Sequence, residues 1–343
     1  MAKGSFTQCA CLLLNRAPSL DEITAALNGV AEVVSRHDEV EEHEEKEDWE
    51  FFGPSITIAF RPEVNGFIAV DVIDRPWPDS MGDPEEDATL FGAWAMGYFG
   101  PGAFPQGLER AEEQAWAWEE ERDIVNGHSA FIRIRLSYVF GEQDEDAPVM
   151  PDDCDSLAEL EFMTKLTTAL MELPDVVCSF NPNGEVVLDK KTYAETLAFH
   201  EENESIPFEL WTNVRLFQVG EDWSVLDTVG NQQLDLPDIE AAFYDQLADP
   251  DDINEFLRDV TYYLMDSENE IEDGDAVEGP GEVPWTAGYY EDSICDPPRA
   301  VLRLTPDDGR EMPAELLEAF AEAEESSEEP SEEPGEKPNE EPG

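Results

Sequence analysis

Basic residues are scarce in this sequence. Lys and Arg total 19 against 83 Asp and Glu, which gives a formal net charge of −64 at pH 7. The acidic excess runs along the whole chain and is not confined to its Glu-rich C-terminus. Such a field repels phosphates and anionic lipid, because nucleic-acid binding draws its affinity from Lys and Arg. The composition therefore disfavours nucleic-acid ligands and membrane surfaces.

The usual catalytic motifs are also missing. The sequence has no G-x-S-x-G elbow, no Walker loop and no G-x-G-x-x-G phosphate loop. Its 4 histidines form no H-x-x-x-H or H-E-x-x-H pattern. His128 is the best single acid/base candidate, because nearby carboxylates would raise its pKa. We therefore predict no catalytic residues and no cofactor, and the balance leans away from an enzyme.

Cysteine and long apolar runs are equally sparse. The 5 cysteines lack C-x-x-C spacing, which argues against a disulfide framework or a zinc knuckle, so we expect small apolar residues. The run CACLLL near the N-terminus is too short for a signal peptide or a membrane span. We expect a cytoplasmic protein with no membrane role.

The acidity admits two explanations that composition cannot separate. It is an adaptation to a high-salt cytoplasm, where self-repulsion is screened, or a surface that attracts a basic protein partner. The rare cations within apolar strands, Arg133, Arg135 and Arg215, are expected to form buried pairs with carboxylates.

Apolar periodicity and turn signals predict an α+β fold. Residues 8–14 form a buried strand, Ser19 and Glu22 form a helix capping box, and Asn65-Gly66 joins two strands as a hairpin. This order predicts mixed or antiparallel sheets with helices on one face, and strand, helix and hairpin recur later, as in a duplicated ferredoxin-like unit.

The same signals suggest how the chain is divided. We assign residues 1–125 to an N-terminal α+β unit and 126–310 to a C-terminal α+β unit. Residues 268–297 are predicted to be an acidic loop because they contain Gly and Pro. Residues 311–343 contain too few apolar residues to offset their ordering entropy, so we expect a disordered Glu/Pro tail.

The densest group of polar residues is WSVLDTVGNQQLDLPDIEAAF at 223–243. Its carboxylates flank a Gly-Asn turn and could bind a hard cation where two strands meet. Asp beside Gly or Pro is also ordinary turn chemistry. Trp94 and Trp211 fall near predicted loops or strand ends, where an aromatic ring can anchor a partner.

Four segments of the second half of the chain are ELWTNVRLF, the 223–243 segment, INEFLRDVTYYLMD and IEDGDAVEGP. They resemble a bacterial family of domains of unknown function that is known by a number and not by an activity, with the best match over residues 205–280. The resemblance implies an α+β cytosolic bacterial protein and carries over no catalytic residue. The positions that match its motif are Asp227, Thr228, Gly230, Gln233, Asp238, Glu240 and Asp275.

These observations favour a non-catalytic protein-binding module. An immunity-type role, which neutralises a toxin, fits because such partners are often basic. The binding candidates are the motif positions together with Trp94 and Trp211. The alternative is a metal-dependent hydrolase that uses carboxylates within 227–240.

Overall fold

The computed structural model describes residues 5–38, 53–115, 118, 125–139, 150–266, 270–314 and 316–317. It divides into two compact units. Unit 1 contains Met1–Arg215 and Thr228–Leu236, and unit 2 contains Leu216–Asp227 and the chain from Pro237 onward. Most of the predicted tail, residues 318–343, lies outside the described residues. The fold is α+β, as predicted.

Unit 1 is built on an antiparallel sheet, which has seven strands among the described residues, in the order β2-β3-β4-β5-β1-β6-β7. The strands are β1 (Gln8–Leu14), β2 (Val33–His37), β3 (Ser55–Arg61), β4 (Gly66–Ile73), β5 (Ala130–Ser137), β6 (Val176–Asn181) and β7 (Val186–Asp189). Every residue of β5 is buried, since other strands pair with it on both sides and its side chains are covered on both faces of the sheet.

Local chemistry explains the ends of these elements. Ser19 caps α1 (Leu20–Ala26), and Glu22 bonds back to the Ser19 main chain, which confirms the predicted capping box. Asn65 adopts a left-handed conformation between β3 and β4, and the two strands pair as the predicted hairpin. Asp155 caps the long helix α4 (Ser156–Met171), because its side chain accepts from the Ala158 main-chain N–H.

Helical segments cover both faces of the first sheet, whereas the sequence predicted helices on one face. On one face, Cys9, Cys11 and Leu13 pack with Trp94 of α2 (Ala88–Ala95) and with α3 (Gly107–Glu113). On the other face, Gln8 bonds to Glu159 of α4. Successive side chains of a strand point to opposite faces, so β1 contributes to both layers. Helix α5 (Lys190–Asn203) follows β7 directly.

Unit 2 contains most of a mixed sheet with the order β11-β12-β13-β10-β9-β8. Its strands are β8 (Asn213–Val219), β9 (Trp223–Val229), β10 (Asp238–Tyr244), β11 (Ala276–Glu278), β12 (Pro284–Tyr290) and β13 (Val301–Pro306). Strand β13 runs parallel to β10 and antiparallel to β12. Helix α6 (Pro250–Met265) packs against β10 through an apolar side that includes Ile253 and Leu257.

Three details differ from the sequence predictions. The division after residue 125 falls inside unit 1, because β5 pairs with both β1 and β4. The strand order does not repeat: β2 lies at a sheet edge, whereas β6 lies beside β1. The segment 268–297, predicted to be a loop, contains β11 and β12. Its Pro284 is compatible with a strand because it occupies the first position of β12, where proline is tolerated.

Candidate functional site

Unit 2 contains a buried charge network centred on Arg299. Its guanidinium donates to Asp227 Oδ2 at 2.6 Å and to Asp238 Oδ2 at 3.1 Å. The same group donates to Ser293 Oγ and to the main-chain oxygens of Cys295 and Pro297. Strands β9 and β10 therefore supply the carboxylates, and the segment just before β13 supplies the cation that joins them.

A second pair extends this network along the same strands. Arg303 Nε donates to Glu240 Oε1 at 2.6 Å, and the main-chain N–H of Ile294 donates to Glu240 Oε2 at 3.0 Å. The two residues are cross-strand neighbours in the parallel β10–β13 ladder. The Arg303 guanidinium also lies 3.9 Å from the centre of the Tyr290 ring.

The electrostatics of the network follow from its burial. Burial raises the pKa of Glu240 above its ordinary value, although the charge of Arg303 opposes this shift. Burial alone would lower the pKa of Arg299, but the charges of Asp227 and Asp238 outweigh it and raise that pKa. The network is thus a set of mutually dependent buried ions.

This geometry bears directly on metal chemistry. A hard cation needs carboxylate oxygens that are free to coordinate it. Asp227, Asp238 and Glu240 are instead hydrogen-bonded to guanidinium groups. Within the described ranges, no group of three or more His, Cys, Asp and Glu side chains is arranged to hold a metal ion.

The motif positions Thr228, Gly230 and Gln233 lie in unit 1, around a buried polar turn. Gln233 Nε2 donates to the Trp211 main-chain oxygen at 2.8 Å, and Gln233 Oε1 accepts from Asn181 at 2.9 Å. A Cβ atom on Gly184 would lie 1.8 Å from the Trp211 oxygen, and one on Gly230 would lie 2.7 Å from the Gly184 Cα. These glycines allow three chain segments to approach closely.

Four chain segments therefore meet within unit 1: residues 99–102, 180–186, 210–215 and 228–233. Gly100, from the first segment, lies against the Asn183 side chain of the second. Thr228 accepts from Asn231 Nδ2 at 3.2 Å in the last segment. Asp235 accepts from Ser156 Oγ at the start of α4. This cluster of motifs is buried and consists of tight main-chain packing.

Glu185 is a buried residue that the sequence did not single out. Its carboxylate accepts from Arg110 Nε at 2.9 and 3.1 Å, from Arg110 Nη2 at 2.5 Å and from Arg215 Nη1 at 3.1 Å. The prediction that Arg215 forms a buried ion pair is confirmed. So is the prediction for Arg133 and Arg135, which both bond to Asp71.

Both tryptophans that the sequence suggests as binding residues are buried. Trp211 is 3% exposed and donates its indole N–H to Thr164 Oγ1 at 2.8 Å. Trp94 is 7% exposed, packs edge-on against Trp77 and donates to the Ser80 main-chain oxygen. Their rings belong to the interior of unit 1.

His128 is also structural. Its Nε2 accepts a 2.7 Å hydrogen bond from the Trp77 main-chain N–H, while Nδ1 faces the Val125 carbonyl, which fixes a neutral ring with the proton on Nδ1. Burial lowers the pKa of His128. The sequence predicted a raised pKa, which is wrong because desolvation outweighs the charge of Asp79.

Asp275 lies in the turn that precedes β11, apart from the buried network. Its carboxylate accepts from the Glu272 main-chain N–H at 2.8 Å, and Gly274 between them has a φ of 87°. Asp273 accepts from the Tyr289 main-chain N–H in the same way. Both carboxylates thus cap main-chain groups, as Asp does in turns.

The most distinctive exposed surface of unit 2 is the outward side of α6. Tyr262 is 40% exposed and Tyr263 is 46% exposed. At 100° per residue they share an arc of about 120° with four exposed carboxylates of the helix, and a fifth, Asp266, follows as the C-cap. We call this surface the α6 outer face; its residues are Asp251, Asp252, Glu255, Asp259, Tyr262, Tyr263 and Asp266. The sequence signal that marks it is the helical period of DDINEFLRDVTYYLMD.

The family match falls on this part of the chain. Residues 227–305 match the model of a domain of unknown function, DUF4261. The predicted resemblance is confirmed for this segment, which includes Asp227, Arg299 and the α6 outer face. No curated protein and no solved structure matches the chain. None of the helices in the described residues is long and apolar enough to cross a bilayer.

Proposed function

We propose that the protein is a binding module whose α6 outer face docks a basic segment of another protein. The proposal rests on one observation: exposed tyrosines and a row of exposed carboxylates lie on the same side of one helix. The helix lies within the segment that matches the family model.

The chemistry of that face fits a cationic partner. Tyrosine is enriched among the residues that dominate binding energy, since its ring offers a large contact area and a polar tip. The surrounding carboxylates steer Lys-rich and Arg-rich surfaces towards the helix and disfavour acidic ones. The opposite side of α6 is fixed by Ile253, Phe256 and Leu257, so the face is presented on a rigid element.

The buried carboxylates of unit 2 have a structural role, which is consistent with binding through the exposed ones. In unit 2, the carboxylates of β9 and β10 form ion pairs with Arg299 and Arg303. These pairs connect β9 and β10 with β13. A metal-dependent hydrolase would need the same groups free. The geometry therefore favours binding through exposed acids over catalysis through buried ones.

The proposal extends to the kind of partner and its location. A toxin-neutralising role suits this surface, because an acidic inhibitor binds a basic toxin by charge complementarity. The same field disfavours nucleic acid as a ligand. We propose a basic protein as the partner and the cytoplasm as the location.

A comparison of two matched variants tests the proposal. The α6 variant carries Glu255→Gln, Asp259→Asn and Tyr262→Ala. The control variant carries Phe199→Ala, Glu201→Gln and Glu202→Gln on α5, where all three side chains are exposed. Each variant loses two carboxylates and one exposed aromatic ring.

We expect the full-length wild type and the control to retain the same basic protein from native lysate at physiological salt. We expect the α6 variant to retain it at least tenfold less. Equal retention by all three proteins, or the recovery of no basic protein, would refute the proposal.

A further inference from the structure

One face of the unit 2 sheet carries apolar side chains beside the buried charge network. Trp223 and Val225 of β9 lie opposite Tyr244 and Ala242 of β10 in the antiparallel ladder. Alternate residues of a strand point to the same face, so these side chains share the face that holds Asp227. We call this surface the β9–β10 apolar patch; its residues are Phe217, Val219, Trp223, Val225, Ala242 and Tyr244.

Helix α6 covers the opposite face of this sheet. Its Phe256 packs against Trp285 of β12, with the ring centroids 5.3 Å apart. Trp285 shares its face with Ala287, which the strand registers align with Ala241. Ala241 and Ala242 point to opposite faces, because successive residues of a strand alternate. The sheet therefore separates the apolar patch from α6.

The cover of the apolar patch includes a turn from the C-terminal part of the chain. Leu316 is fully buried in one cluster with three residues of the patch, and Met312 packs against the same cluster. Leu317, the next residue, is 53% exposed. The predicted tail therefore begins with a packed segment, and we call residues 312–317 the C-terminal turn.

The C-terminal turn depends on the patch for its structure. The Pro313 main-chain oxygen accepts from the N–H groups of Leu316 and Leu317, both at 3.1 Å. Met312 and Leu316 are four positions apart, so a helical turn places them on one side. A single helical turn is unstable in water, because it fixes many dihedral angles for few hydrogen bonds. The buried apolar side chains therefore hold the turn in place.

The charge of the chain opposes this docking. Residues 318–343 contain 11 Glu and one Lys, and the whole chain has a net charge of −64. The acidic body of the protein therefore repels the residues that follow the turn. The Debye length falls from about 30 Å at 0.01 M salt to about 3 Å at 1 M. The repulsion is consequently strong at low salt and weak at high salt.

We propose that the β9–β10 apolar patch is a binding site for one apolar helical turn, and that the C-terminal turn occupies it as a strap that low salt releases. The occupant is this segment of the chain, because Leu316 is seated in the patch. Burial of Met312 and Leu316 favours the bound form, whereas the charge of residues 318–343 favours release. The site is independent of the α6 outer face, which lies on the other side of the sheet.

Peptide binding tests the site on the full-length protein. A fluorescent peptide of residues 309–320 is added, at about 0.5 M KCl, to wild type, Leu316→Asp and Leu317→Asp, and its anisotropy is measured. Leu316→Asp places a charge in the apolar patch and should release the strap, whereas Leu317→Asp changes an exposed side chain of the same turn. We expect Leu316→Asp to bind the peptide at least tenfold more tightly than the other two proteins.

Hydrogen exchange of the C-terminal turn tests its release. We expect the amides of Leu316 and Leu317 in wild type to exchange at least threefold faster at about 0.02 M KCl than at about 1 M. The control variant removes the charges nearest to the turn, so its exchange should depend less on salt. Its substitutions are Glu318→Gln, Glu322→Gln, Glu324→Gln and Glu325→Gln.

Three results would overturn the proposal. The first is equal peptide binding by wild type and Leu316→Asp. The second is exchange of the turn that does not depend on KCl, or that depends on it equally in the control variant. The third is a loss of exchange protection in α6 of Leu316→Asp, because the turn would then be a fixed part of the unit 2 core.

Discussion

Replacing Arg299 by methionine tests how much the buried charge network of unit 2 contributes to stability. Methionine has a similar length but no charge, so Asp227 and Asp238 keep their positions and lose the guanidinium that bonds to both. Ser293 Oγ and the main-chain oxygens of Cys295 and Pro297 lose a donor at the same time. The substitution therefore leaves uncompensated charge in a buried place.

The expected loss follows from that burial. Removing one partner of a buried ion pair costs about 3–5 kcal/mol of unfolding free energy. Arg299→Lys keeps the charge, but its compact ammonium cannot reproduce the guanidinium fork, so we expect an intermediate loss. The matched control is Arg16→Met, because Arg16 pairs with Asp175 and Glu22 at the surface, where a pair is worth about 0–1 kcal/mol.

Urea unfolding with hydrogen exchange read from peptides of β9, β10 and β13 measures these losses in unit 2 itself. The ranking should be Arg299→Met, then Arg299→Lys, then Arg16→Met. A loss below about 1 kcal/mol for Arg299→Met would refute the view that Asp227 and Asp238 are structural ions. Asp227 and Asp238 would then again be candidate ligands for a metal ion.

Three further predictions follow from other parts of the chain. Gly184→Ala should lower the unfolding free energy of unit 1 by about 3 kcal/mol or more in urea, because its Cβ would overlap the Trp211 oxygen. The control Gly29→Ala, whose Cβ would meet no atom within 4 Å, should lower it by about 1 kcal/mol. Equal losses in the two variants would contradict the close packing at Gly184. Burial lowers the folded pKa of His128 below the unfolded value of about 6.5, so its neutral form stabilises the fold above that pH, and the contribution is lost as pH falls. The stability advantage of wild type over His128→Gln should therefore shrink between pH 7.5 and 5.5 in urea titrations, and a constant advantage would contradict it. If the acidity serves a partner, the unfolding midpoint should change little above about 0.5 M KCl, where screening is nearly complete, whereas a continued climb would favour salt adaptation.

The sequence predicted local structure well where one residue type determines a conformation. The capping box of Ser19 and Glu22 and the hairpin at Asn65-Gly66 are examples, since each depends on residues a few positions apart. It failed where pairing over long distances decides the outcome. Neither the central place of β5 nor the strand β12 inside a Gly/Pro segment has a local signal.

The candidate site was predicted in part. The motif positions from Asp227 to Glu240 were identified as a group, but the sequence could not show that this group divides between two units. Arg299 was missed, because its role depends on a segment far along the chain. The scarcity of cations was the usable signal: in so acidic a chain, an arginine beside an apolar strand is expected to neutralise buried carboxylates.

Site-specific photo-cross-linking tests the proposed role of the α6 outer face most directly. A photoreactive phenylalanine replaces Tyr263 in one full-length protein and Phe199 in a control protein, since both side chains are exposed. We expect a cross-link to a basic protein from position 263 alone, weakened by added KCl. Cross-linking that is equal from the two positions, or directed from 263 only to acidic proteins, would contradict the account.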